Sequence, residues 1–201
     1  MNRKPGRHGV SKAEWLAAAL KMLSRGSVSD VKINRLARGL GINKSGFYWH
    51  FKNRDDLLEQ LLAYWAHELT EVVTSNPEFL KLEPRERLCR AAEMIIDYDL
   101  TRYEISIRQW ALTSDLAAQV VKEVNEIRLD FVSRTLVELG FEGDDLEMRA
   151  MLFVCYQTWE TPMFRDITEN RRRELIQKRV DLLTFQVQQK VYCVENSVIK
   201  E

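Results

Sequence analysis

Apolar residues recur at helical spacing along nearly the whole chain. Ser11 is an N-cap with Glu14 three residues on, and Trp15, Leu16, Ala19, Leu20 and Leu23 then mark one face of a first helix that ends near Gly26. Ile33, Leu36, Ala37 and Leu40 repeat the i, i+3, i+4, i+7 pattern, and Gly41 supplies a residue able to take a positive φ, so a second, short helix stops there. Asn43 caps a third short helix carrying Phe47 and Phe51. Asn53, with Asp55 and Asp56 in the first turn, caps a fourth helix through Leu57, Leu58, Leu61, Leu62, Trp65 and Leu69 to about Val73, which Asn76 and Pro77 end. Beyond it the spacing predicts a helix starting near Pro84 with Leu88, Ala91, Ala92, Ile95 and Ile96, then helices over 105–112, 116–139, 144–163 and 170–189, with Gly140 and Gly143 at one break. No strand pattern competes, so the reading is all-α with about nine helices. Residues 191–201 mix β-branched and polar types and are read as a tail or a packed extension.

Composition supports long helices: 45% of the 201 residues are hydrophobic, and four Pro and eight Gly leave few interruptions. The net charge is zero, but residues 1–60 hold 12 basic against 5 acidic groups, whereas the remainder holds 18 against 25. A basic module on an acidic body would hold a phosphate backbone at one end and repel it at the other. Cys89, Cys155 and Cys193 are far apart and give no zinc-site spacing, which fits reduced thiols in a cytoplasmic setting. No run approaches eighteen apolar residues, and the basic start leads into an amphipathic stretch, so neither membrane insertion nor export is expected. No phosphate-binding glycine loop, nucleophile elbow or His-Glu-x-x-His motif occurs, so catalysis and cofactors are not expected. His67 with Glu68 and Glu71 comes nearest to a metal cluster, and a solvated helix face explains it more simply, so no metal is assigned.

Residues 32–51 meet the needs of a helix-turn-helix: a small residue where the helices approach (Ala37), a glycine in the turn (Gly41) and a buried apolar residue in the second helix (Phe47). On a short recognition helix, the side opposite Phe47 and Phe51 faces the bases, which gives Asn43, Lys44, Ser45 and Gly46; Lys44 can reach guanine O6 and N7. Asn43 is open to capping or to base contact. Gly46 is open to a close backbone approach to DNA or to simple tolerance. Lys32, Asn34 and Arg35, at the start of the second helix, are suited to phosphates; Arg38 is read as solvent-exposed. Trp49 is read as bracing the module against the fourth helix rather than lying exposed. Arg3, Lys4 and Arg7 sit in a stretch broken by Pro5, Gly6 and Gly9, a basic arm that could follow the backbone or enter a minor groove.

The run Ile33-Asn-Arg-Leu-Ala-Arg-Gly-Leu-Gly-Ile-Asn-Lys-Ser-Gly-Phe-Tyr-Trp-His-Phe-Lys-Asn-Arg-Asp-Asp-Leu-Leu resembles the signature of TetR-type transcriptional regulators. The likeness covers about residues 11–62, including the Tyr-x-His-Phe core and the Lys-x-x-x-x-Leu-Leu entry to the fourth helix. It departs at Gly46-Phe47, where the family often has Thr or Ser followed by Leu. The resemblance implies an N-terminal three-helix DNA-binding domain and a larger helical domain for ligand binding and dimerisation, and it places Tyr48, His50 and Lys52 on phosphates. The organisation expected is an arm over 1–10, a helix-turn-helix domain over 11–56, a sensing and dimerisation domain over 57–190 and a tail over 191–201.

By the same resemblance the partners are double-stranded DNA with a near-palindromic operator, a second copy of the chain, and a small-molecule effector that releases a repressor from its operator; an activator, or a regulator without an effector, is the alternative, and a helical enzyme or adaptor the most distant one. The last two long helices would form a four-helix interface between subunits through Met148, Leu152, Tyr156, Trp159, Leu175, Val180, Leu183 and Val187. Intrachain core is the competing reading for each. Trp65, Tyr98, Tyr103, Trp110, Phe131 and Phe153 are candidate pocket walls, and residues 102–110 could line a pocket or the cleft between domains.

Overall fold

A capping box starts the first helix as the sequence predicts. In the computed structural model, which describes residues 9–186, the Glu14 carboxylate accepts the Ser11 N–H at 2.8 Å and the Ser11 hydroxyl accepts the Glu14 N–H at 3.3 Å. Helix α1, Lys12–Leu23, then buries Trp15, Leu16, Ala19, Leu20 and Leu23. A 3₁₀ turn over Val28–Asp30, which the sequence pattern does not announce, leads into α2, Ile33–Gly39. Gly41 takes φ 68°, and the Ile42 N–H reaches back to the Ala37 carbonyl at 3.0 Å, a glycine-centred stop that fixes the turn.

The next element differs from the expected α-helix. Residues Lys44–Trp49 form a 3₁₀ helix, with the Asn43 side chain accepting the Ser45 N–H at 3.2 Å. With three residues per turn, side chains three apart fall in one row. Gly46 therefore lines up with Trp49, and Ser45 with Tyr48.

Asn53 caps α3, Arg54–Ala66, by accepting the Asp56 N–H at 2.9 Å. The helical path continues to Thr74, as the pattern suggests, but through a π-helical segment at His67–Glu71 before α4, Val72–Thr74. A Phe79–Lys81 turn precedes α5, Pro84–Asp97, and the buried Arg87 ties the two together: it donates to the Phe79 and Leu82 carbonyls at 3.0 and 3.1 Å and pairs with Glu138 at 2.5 Å. Helices α6, Glu104–Ala111, α7, Asp115–Glu138, α8, Gly143–Met163, and α9, Glu169–Leu183, complete the described residues. The last helix ends six residues before its expected limit: Thr184 is buried and folds its hydroxyl back onto the Val180 carbonyl at 2.8 Å.

Two apolar cores result, joined by α7. Ala117, Val121 and Val124 of α7 pack with Trp15, Phe47, Phe51, Trp65, Ile107 and Trp110 in one; Phe131, Val132 and Leu136 pack with Leu88, Phe141, Phe153, Ile176 and Val180 in the other. At about 1.5 Å per residue, α7 is long enough to carry both. The helix-turn-helix therefore shares one core with α3, α6 and α7 and is not a bead on a linker.

Candidate functional site

Phe47 anchors the recognition turn. Its fully buried ring meets Trp15 edge-on at 5.5 Å and Phe51 at 5.0 Å, so the position of the turn is set against α1. Around it Asn43, Lys44, Ser45, Tyr48 and Lys52 are exposed and Gly46 is half-buried. Lys32 and Asn34 are exposed on the neighbouring α2 edge, and Arg38 is exposed as read. Arg35 is partly committed, pairing with Asp30 at 2.7 Å.

Trp49 corrects the sequence reading. It braces nothing: 86% of its surface is open, because the 3₁₀ winding puts it in the outward row above Gly46 rather than against α3. His50 also has a duty the sequence did not show. Its Nε2 lies 2.9 Å from the Val10 carbonyl, which ties the chain entering α1 to the recognition turn and leaves only the other ring nitrogen for a phosphate. A Cβ on Gly46 would meet nothing closer than Ile42 Cδ1 at 3.7 Å, so packing within the chain does not require glycine there. Arg54, passed over in the sequence, holds the loop before α2 by donating to the Val31 and Val28 carbonyls at 2.8 and 2.5 Å. Backbone N–H groups of Lys52, Ser27 and Ser11 draw the pKa values of Asp56, Asp30 and Glu14 below the carboxylate norm. The arm residues Arg3, Lys4 and Arg7 lie outside the described residues.

In the body, a small cavity of about 50 Å³ opens where α5, α7 and α8 meet the π-helical segment and α4. Phe131 and Phe153 line it, as the sequence suggested; Trp65 and Trp110 do not, being buried in the first core. Tyr98 and Tyr103 instead flank a cleft between α1 and the body, with Ala17, Leu20 and Leu100. The other cavity walls include Thr70, Ile95, Arg128, Val132 and Gln157, residues scattered over four helices that no local pattern groups. Arg128 donates to Thr70 Oγ1 through Nε and Nη2 at 3.1 and 2.9 Å, and to Glu104 Oε1 at 2.6 Å, with its guanidinium 5.9 Å from the Trp65 ring centre. Glu104, with no exposed surface, also accepts from Arg108 Nε at 3.1 Å. These bonds clamp the π-helical segment, which continues α3, to α6 and α7.

On α8, Met148, Leu152, Cys155, Trp159 and Met163 form one exposed stripe at spacings of three and four. Tyr156 is half-buried beside it, its hydroxyl donating to Glu160 at 2.7 Å. The α9 contribution is corrected: Val180 is fully buried in the second core, Leu183 packs against that core, and Leu175 is half-buried, because the apolar stripe of α9 turns toward α5. Leu182 and Phe185 are the exposed apolar residues there. Val187 lies outside the described residues. Among the described residues no group of three His, Cys, Asp or Glu could hold a metal ion, and no helix is long and apolar enough to cross a membrane.

Residues 16–61 match the family model of bacterial regulatory proteins, tetR family. A regulator from Shigella flexneri, the HTH-type transcriptional regulator AcrR, is 35% identical over 68 residues, which are 34% of this chain and 28% of that one. The chain thus matches little more than a quarter of that relative's length. Over the whole fold, a transcriptional regulator from Rhodococcus sp. superposes with a TM-score of 0.69 at 15% identity, covering 87% of this chain and 96% of the other. AibR, solved in complex with isovaleryl coenzyme A and operator DNA, superposes with a TM-score of 0.61 at 17% identity over 86% of this chain and 97% of its own. Residues 16–61 thus match the tetR-family domain, and the chain as a whole shares the fold of solved transcriptional regulators, a TetR-like regulator from Rhodococcus sp. RHA1 among them.

Proposed function

We propose that this protein is a cytoplasmic, homodimeric transcriptional regulator, not an enzyme, whose helix-turn-helix domain reads a two-fold DNA site and whose body responds to a small molecule. The observation that carries the reading is the exposure of Asn43, Lys44, Ser45 and Tyr48 together on a turn held by a fully buried Phe47: polar and cationic groups of the right reach on a rigid support. Asn43 to Gly46 face bases, with Lys44 on guanine; Tyr48, Lys52, Lys32 and Asn34 hold phosphates, and Trp49 joins them as an exposed contact. The α8 stripe of Met148, Leu152 and Trp159 is the dimer face, which sets two recognition turns about one DNA turn apart. The body from residue 57 onward is the sensing and dimerisation domain, its cavity the effector site; the complex of AibR with an acyl-CoA and operator DNA supports this pairing of roles.

The action proposed is repression relieved by ligand. Effector binding at the cavity would bias the clamp on the π-helical segment and so the spacing of the two turns. Selection of bound fragments from the source genome, followed by gel shifts, tests the reading: specific fragments should outcompete random duplex, and operator should weaken effector binding by the factor by which effector weakens operator binding. Equal retention of selected and random fragments would overturn it.

A further inference from the structure

We infer that the body cavity takes a small, uncharged, largely apolar ligand whose one polar end both donates and accepts a hydrogen bond, held by the side-chain amide of Gln157; this rests on the sensing role proposed above. Gln157 stands at an inward position of α8, four residues after Phe153, and is only 6% exposed. Both its Nε2 and its Oε1 are buried and without a hydrogen-bond partner among the described residues, and the side chain lines the cavity. Unpaired buried amide groups are costly, whereas Leu or Met at this position would simply extend the apolar wall. An amide that offers its NH₂ as donor and its carbonyl as acceptor to a largely apolar space, edged by Thr70, Thr101 and Thr158, is matched by a ligand end with the complementary pair, as in a primary amide.

Charge argues in the same direction. Arg128 is the charged residue among the described walls, and its Nε and Nη2 are engaged by Thr70 and by the buried Glu104, which Arg108 also holds. A ligand carboxylate only accepts and would leave Gln157 Oε1 without a donor, whereas an ammonium only donates, would leave Nε2 without an acceptor and would meet no unpaired anion among these walls. The remaining surface, from Val73, Ile95, Phe131, Val132 and Phe153, suits an alkyl or small aromatic body.

The test titrates the full-length protein by calorimetry at neutral pH with hexanamide, hexanoate, hexylammonium and isovaleryl coenzyme A. Hexanamide should bind at least about tenfold more tightly than the other three. Gln157→Leu should weaken hexanamide by about tenfold while leaving the helical signal and melting temperature at least as high as before, since it removes the unpaired amide; Gln157→Met gives the same readout should the leucine variant fold poorly. Tighter binding of hexanoate or of the coenzyme A ester, equal binding of all four, no binding of any, or undiminished hexanamide binding by a folded Gln157 variant, as expected of an amide satisfied by water alone, would each overturn the inference. Binding of the ligand-free protein to a selected genomic fragment is measured alongside. Its absence would remove the regulator reading and leave the cavity result standing, whereas DNA binding with a preference for hexanoate would overturn the ligand chemistry alone.

Discussion

Glu104→Gln should destabilise the protein through a change of one atom. The carboxylate has no exposed surface and accepts from Arg128 Nη2 at 2.6 Å and Arg108 Nε at 3.1 Å. The amide keeps one acceptor, but its NH₂ must face a guanidinium N–H, so one bond becomes a donor–donor contact and two cations lose their shared anion. Removing one partner of a buried pair costs about 3–5 kcal/mol. Arg128 and Arg108 retain 14% and 20% of their surface, so water reaches both and the lower end, about 3 kcal/mol, is expected. In a chain of this size that lowers the melting temperature by roughly 6–12 °C. Urea unfolding at fixed protomer concentration reads the change, because a dimer's stability depends on concentration. The companion variant Arg128→Met, alone and combined with Glu104→Gln, should be non-additive by more than about 1 kcal/mol. A loss below about 1 kcal/mol for Glu104→Gln, or additivity within about 0.5 kcal/mol, would refute the view that these groups form one clamp.

Further outcomes follow from other parts of the molecule. Lys44→Ala should cost about 1–3 kcal/mol on the selected site and relax preference at one base pair, read by competition binding; an equal loss on all duplexes would make Lys44 a phosphate contact only. Leu152→Glu places a charge in the exposed α8 stripe and should yield monomers by analytical ultracentrifugation with helicity retained; an unchanged dimer would move the interface elsewhere. Glu14, Asp30 and Asp56 titrate below the carboxylate norm, so their contribution is present above about pH 4 and is lost as pH falls through their folded values. The helix-turn-helix should therefore loosen below about pH 4, seen in tryptophan fluorescence, and a flat response from pH 7 to about 3 would contradict this.

What the sequence disclosed was what short-range chemistry decides. The Ser11–Glu14 box, the Gly41 turn and the Asn43 and Asn53 caps each depend on residues within five positions, and their patterns carry over directly into structure. Phe47 was legible because a helix-turn-helix needs one buried residue at that spacing. Trp49 was not, since its direction depends on whether the turn winds as α or 3₁₀, and no single residue announces the tighter form. The cavity was legible only at Phe131 and Phe153. Aromatic bulk marks Trp65 and Trp110 equally well, and only the path of α7 through both cores sends those two to the other side. Gln157 left a signal that could have been used, a polar residue at the inward phase of α8. Val180 shows the converse, for an apolar stripe on α9 fits a dimer face and a seat against α5 equally well until the partner helix is known.

The central claim is that residues 43–52 read DNA from a fixed turn, and fluorescence anisotropy of the full-length protein on a selected genomic fragment and on a shuffled duplex of the same composition tests it most directly. At physiological salt the selected fragment should bind at least about 10³-fold more tightly, and both affinities should fall steeply as salt rises. Equal affinity for the two duplexes, or binding indifferent to salt, would contradict it.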